Sequence, residues 1–77
     1  MSMKYDKYIE INPKVMVGKP VIKGTRIPVG LILNLLANGY TYEKIIAAYP
    51  PLNKKQIEAA LAFAAEKLNR EENYNFT

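Results

Sequence analysis

The stretch Lys23-Gly24-Thr25-Arg26-Ile27-Pro28-Val29-Gly30-Leu31-Ile32-Leu33-Asn34-Leu35-Leu36-Ala37-Asn38-Gly39 contains the point at which the chain changes its period. Before it, apolar residues come in short pieces separated by proline and glycine. From Pro28 onward they recur at helical spacing, with proline suited to the first turn and Gly39 suited to the left-handed residue that follows the last turn at Asn38. At 100° per residue, Val29, Leu31, Ile32, Leu33, Leu35, Leu36 and Ala37 cover this helix except for a narrow stripe of Gly30, Asn34 and Asn38. One small core cannot use all of that surface. Two faces are therefore expected to be buried, one inside the domain and one against a partner, and a homodimer is the expected state.

Toward the N-terminus, Tyr8–Ile11 reads as a short strand and Val21-Ile22 as another, with Asn12-Pro13 and Gly18-Lys19-Pro20 between them. Gly24 supplies a positive φ for the exit turn. Residues 1–28 are thus a β arm, too small to be stable unless it lies on the helices or on a second subunit. Toward the C-terminus, Thr41 caps a short second helix that Pro50-Pro51 ends, with Tyr42, Ile45, Ile46 and Tyr49 on its inner face. Asn53 and Gln56, three apart, form a variant of the capping box and open a third helix that runs to about Asn69. Its expected core stripe is Ile57, Ala60, Leu61, Ala64 and Leu68, which leaves Phe63 on the opposite side beside Ala59, either an idle exposed aromatic or a contact residue. Residues 28–69 are the helical core, and 70–77 have no period and read as a flexible tail. The fold class expected is mainly α, three helices in a helix-turn-helix arrangement with a short N-terminal β arm, in a single domain of 77 residues.

Composition narrows the chemistry. Cysteine and histidine are both absent, which removes disulfides, thiolate nucleophiles, His-based triads and zinc patterns built on either residue. Thr25 and Thr41 have no sequence-local base, and Gly18-Lys19-Pro20 and Lys23-Gly24-Thr25-Arg26 lack the G-x-x-x-x-G-K-[ST] spacing that aims backbone N–H groups at phosphate. The chain is expected not to be an enzyme and to need no cofactor or metal. No apolar run reaches the roughly 20 residues of a membrane span, and Lys4, Asp6 and Lys7 stand where a signal peptide would need an apolar core, so the expected location is cytoplasmic, away from membranes.

The formal charge of +4 is unevenly placed. Lys4, Lys7, Lys14, Lys19, Lys23 and Arg26 face only Asp6 and Glu10 in residues 1–28, whereas the acids and bases of the remainder balance. Such an arm suits a polyanionic partner, although a net positive charge also simply keeps a small protein in solution. In a helix-turn-helix the second helix meets DNA with its first turn, which here offers Lys54, Lys55 and Gln56; lysine reaches phosphate or guanine and glutamine can pair bidentately with adenine. A solvated first turn would look the same.

The string Gly18-Lys19-Pro20-Val21-Ile22-Lys23-Gly24-Thr25-Arg26-Ile27-Pro28-Val29 resembles the signature of the domain-of-unknown-function 433 family, small prokaryotic proteins similar to VapB-type antitoxins. The likeness continues through Ile9-Glu10-Ile11-Asn12-Pro13, Asn38-Gly39-Tyr40-Thr41 and Tyr49-Pro50-Pro51-Leu52, and spans residues 8–68. In that family a glycine usually follows the residue after the Asn-Pro element, whereas here Met16-Val17-Gly18 carries a single one. The resemblance implies a homeodomain-like helix-turn-helix behind a small strand arm, and an antitoxin paired with a PIN-like ribonuclease toxin. The expected function is accordingly to bind and neutralise such a toxin and to repress the protein's own operon. A stand-alone DNA-binding regulator and an interaction module without nucleic acid are the alternatives. Lys23 and Arg26 then have two readings: phosphate contacts, or members of a turn in which Thr25 and Arg26 tie the arm to the first helix while Ile27 plugs the core. Toxin contacts are expected from Phe63 and from Tyr74 and Phe76 of the tail, whose rings would otherwise belong to a frayed end or fold back on Leu68 and Phe63.

Overall fold

The computed structural model describes residues 7–14 and 16–71. Three helices follow a two-stranded antiparallel sheet, in the order β1 (Ile9–Ile11), a 3-10 turn over Met16–Gly18, β2 (Pro20–Ile22), α1 (Val29–Ala37), α2 (Tyr42–Ala48) and α3 (Lys54–Glu71). The strands pair Ile9 with Ile22, Glu10 with Val21 and Ile11 with Pro20. An antiparallel bridge between Val21 and Pro28 extends β2 on its other side, so the N-cap residue just before α1 is tied to the sheet. Among the described residues no helix is long and apolar enough to cross a membrane.

Local signals account for where each helix starts and stops. Asn38 is the C-cap of α1, and Gly39 follows it at φ +89°. The Tyr40 N–H donates to the Leu35 carbonyl and the Gly39 N–H to that of Leu36, both at 3.0 Å. These two bonds make a Schellman ending and satisfy carbonyls that the last turn would leave bare. Thr41 caps α2 by accepting from the Lys44 N–H at 3.1 Å. At α3 the capping box is reciprocal: the Gln56 N–H donates to Asn53 Oδ1 (2.9 Å) and the Asn53 N–H to Gln56 Oε1 (2.8 Å).

The core joins sheet and helices through Ile22, Ile32, Ile45 and Ile57, all fully buried. Ile45 lies on the expected inner face of α2, with Tyr42, Ile46 and Tyr49 half-buried beside it and Glu43, Lys44 and Ala47 exposed. Helix α3 departs from expectation. Ile57 and Ala60 are buried as the stripe requires, but Ala59 and Phe63 are buried with them, while Leu61 and Leu68 are 38% and 52% exposed. The buried face is therefore turned by about a quarter of the circumference from the expected one. The reason lies in side-chain size. Alanines at 59, 60, 62, 64 and 65 surround the helix with weakly apolar surface, so the position of the one large ring decides which side faces inward, and its burial outweighs that of two leucines left half wet.

Between the strands the chain makes an asparagine turn, with the Lys14 N–H donating to Asn12 Oδ1 at 2.9 Å. It then passes through Val17 at φ 55°, ψ 42° and Gly18 at φ +78°. A β-branched residue in the left-handed region is strained by about 1–2 kcal/mol, and Val17, 90% exposed, has no packing to offset it. The turn takes two successive positive φ values with one glycine. Val17→Gly is expected to raise stability by about 0.5–1 kcal/mol in urea unfolding, because relief of strain exceeds the added freedom of the unfolded chain. For α3, Phe63→Ala should cost about 3–5 kcal/mol and Leu68→Ala less than about 1 kcal/mol. Equal losses would restore the stripe read from spacing.

Candidate functional site

The Lys-Gly-Thr-Arg segment is a tight loop between β2 and α1. Gly24 stands at φ +83°, where glycine is favoured. The Thr25 side chain bonds in two directions: its hydroxyl donates to the Ile22 carbonyl at 2.7 Å and accepts from the Ile27 N–H at 3.0 Å. The Ile22 carbonyl also accepts from the Thr25 N–H (2.9 Å), and the Ile22 N–H donates to the Ile27 carbonyl (2.9 Å). Ile27 is half-buried and packs against the core. Thr25 and Ile27 thus do the tying and plugging, whereas Lys23 and Arg26 stand exposed on the outside of the loop. Arg26 does not join the arm to α1 as the structural reading of the loop has it.

The arm presents its positive charge outward. Lys7, Lys14, Lys19, Lys23 and Arg26 are all exposed, and Glu10 is the acid among the arm's described residues. Lys54 and Lys55 are exposed in the first turn of α3, which contains no acidic residue. They are not equivalent. Lys54 borders a shallow depression between α2 and α3 whose lining includes Glu43 and Glu58 as well as Thr41, Tyr42 and Ile46. Lys55 does not line that depression. Lys44 places its ammonium 5.0 Å from the centre of the Tyr40 ring, a cation–π contact at the junction of α1 and α2.

Two of the expected contact residues are placed differently by the fold. Gln56 already uses Oε1 to accept from the Asn53 N–H of the capping box, which fixes the direction of its side chain and leaves one lone pair of that oxygen and the amide nitrogen for any further partner. Phe63 is not exposed: only 8% of it remains accessible, and it belongs to the core. Tyr74 and Phe76 lie outside the described residues. What spacing did not single out is an apolar groove of about 520 Å³ between α1 and the second half of α3, reached by Phe63 along one edge. Its signal in the sequence was the surplus of leucine on α1. Among the described residues no group of three His, Cys, Asp or Glu side chains is arranged to hold a metal ion.

Fold and site together define a small class: a three-helix domain led by a basic two-stranded arm, with a threonine-pinned loop between arm and helices. The chain belongs to the family described as Protein of unknown function (DUF433), whose model matches residues 9–64. It is similar to the crystal structure of a DUF433 member from Anabaena variabilis ATCC 29413, with a TM-score of 0.73 and 30% identity over 86% of this chain and 68% of that one. It is also 34% identical over 53 residues to the uncharacterized protein y4eO of Sinorhizobium fredii (strain NBRC 101917 / NGR234). That match covers 69% of this chain and 24% of the relative, so the chain spans about a quarter of the relative's length.

Thr25→Val is expected to cost about 1–3 kcal/mol in chemical unfolding, since it removes one acceptor and one donor in a half-buried loop and leaves the Ile27 N–H without its partner. Arg26→Ala should change stability by no more than about 0.5 kcal/mol. A loss at Arg26 as large as that at Thr25 would return the arginine to a structural role.

Proposed function

We propose that the chain is an antitoxin-like protein that acts by binding and not by catalysis: as a homodimer it binds and neutralises a PIN-like ribonuclease toxin and represses its own operon through a helix-turn-helix. The observation that carries the DNA-binding part is the pair Lys54-Lys55 at the amino end of α3, behind the capping box and exposed to solvent. The positive end of a helix dipole disfavours cations, and an acid-free first turn with two lysines is a poor choice for stability alone. Opposite a phosphate the same turn becomes favourable, because ammonium groups, backbone N–H groups and dipole all act on one anion. The exposed lysines and arginine of the arm extend this positive surface. In this reading α2, the Tyr49-Pro50-Pro51-Leu52 turn and α3 form the helix-turn-helix in the homeodomain manner, Lys23 and Arg26 grip backbone phosphate, and Gln56 contributes through its free amide nitrogen. The toxin half of the proposal rests on the family resemblance carried by the Lys-Gly-Thr-Arg-Ile-Pro-Val string, with Tyr74 and Phe76 as its anchors.

The test is binding of the purified chain to its own upstream DNA as salt is raised. Affinity is expected to fall steeply, and Lys54→Ala with Lys55→Ala to reduce the slope of log K against log salt by roughly 2. Absence of binding at 50 mM salt, or an unchanged slope, would remove the DNA-binding reading. Co-expression with the product of the adjacent reading frame separates the antitoxin from a stand-alone regulator: rescue of growth, and a complex that copurifies, are expected.

A further inference from the structure

The groove between α1 and α3 has a feature that the fold of one chain does not explain. Gly30 is the second residue of α1, its φ is not positive, and a Cβ built on it would meet nothing within 4 Å. Neither backbone conformation nor packing within the chain requires glycine there, and glycine weakens a helix relative to alanine. Its place is on the groove wall, next to Leu31 and Leu33 of α1 and across from Phe63, Ala64 and Leu68 of α3. A residue without a side chain on an apolar wall lets another backbone come close.

From this we infer that the groove is the seat of a second copy of the same chain, with α1 of each copy passing over Gly30 of the other. Three observations favour a second copy over a foreign partner. An interface about a two-fold axis must carry both ridge and hollow on one patch; here the half-exposed Leu31 and Leu68 stand beside the hollow at Gly30 and Ala64. Helix α1 contains no charged residue from Val29 to Ala37, so two copies can meet along it without like charges facing. Leu33, Leu35 and Leu36 of α1 pack partly buried against the chain's own core, whereas Leu31, on the groove wall, lies outside that cluster and is the leucine a second copy would cover. Lys19 and Lys67 also border the groove, and their long stems can lie along apolar surface while the ammonium groups remain in water.

This inference rests on the homodimer of the proposed function and names its surface. The experiment is sedimentation of the purified full chain from about 1 to 200 µM. A dimer is expected, and Gly30→Glu should weaken it at least about tenfold by placing a charge in the apolar contact. The same substitution should leave the helical circular dichroism and the dilute-solution thermal midpoint equal or higher, since glutamate is a better helix former than glycine and is favourable near the start of a helix. Leu68→Glu, from a half-exposed position on the other wall, should dissociate the dimer similarly, and Ala47→Glu on the outer face of α2 should not. A chain that is monomeric throughout overturns both the surface and the homodimer, whatever the DNA measurement gives. A dimer indifferent to Gly30→Glu and Leu68→Glu overturns the surface alone. A monomer that assembles only with the neighbouring gene product gives the groove to a foreign partner and overturns the second copy.

Discussion

Everything in the domain is hung on the loop from Ile22 to Ile27. The Thr25 hydroxyl gives its proton to one side of the loop and accepts one from the other, while the Ile22 N–H and the Ile27 carbonyl close its neck. With Gly24 at positive φ the chain reverses within a few residues. That reversal places Val21 and Ile22, both fully buried, directly against the beginning of α1. A two-stranded sheet of three-residue strands has little stability of its own. It becomes part of the core because the loop holds its inner strand against a helix.

Helix packing follows from that anchorage. Once α1 is fixed to β2, Ile32 and Val29 point inward and the remaining leucines of α1 lie partly exposed around them. Helix α3 packs on α1, α2 and β1 and gives Ala59, Ala60 and Phe63 to the core. Alanine lets the backbones approach, and the ring fills what the alanines leave open. The same choice creates the groove, because a helix that turns Phe63 inward carries Leu68 to the outside next to the wet flank of α1. Core and groove are two sides of one packing decision.

Charge is distributed with equal economy. The core contains no buried charged or polar side chain among the described residues, so the charges lie at the surface. The loop that is most constrained by hydrogen bonds also presents Lys23 and Arg26 outward. Rigid backbone beneath exposed cations lowers the entropy lost when an anion is bound. At the start of α3 the reciprocal capping box does the same for Lys54 and Lys55.

Much of this was legible in the amino-acid sequence, and the parts that were share a cause. Helix ends are local events: Thr41, the Asn53–Gln56 pair and Gly39 act on backbone groups within four residues, so their types and spacing announce them. The Lys-Gly-Thr-Arg loop is equally local, and the family membership follows from the same string. What only tertiary structure decided was orientation. In α3 apolar residues occur on nearly every side, and a wheel that counts them cannot weigh one aromatic ring against two leucines; packed against α1, α2 and β1, the helix buries Phe63 and leaves Leu68 out. The commitment of Gln56 to the cap was visible as spacing, but the direction in which its side chain is held came from the structure. Gly30 looked like part of a polar stripe until the groove around it showed open space where a side chain could have been. Local hydrogen bonding is written in neighbouring residues, whereas the choice of a buried face depends on the volume that distant segments leave to be filled.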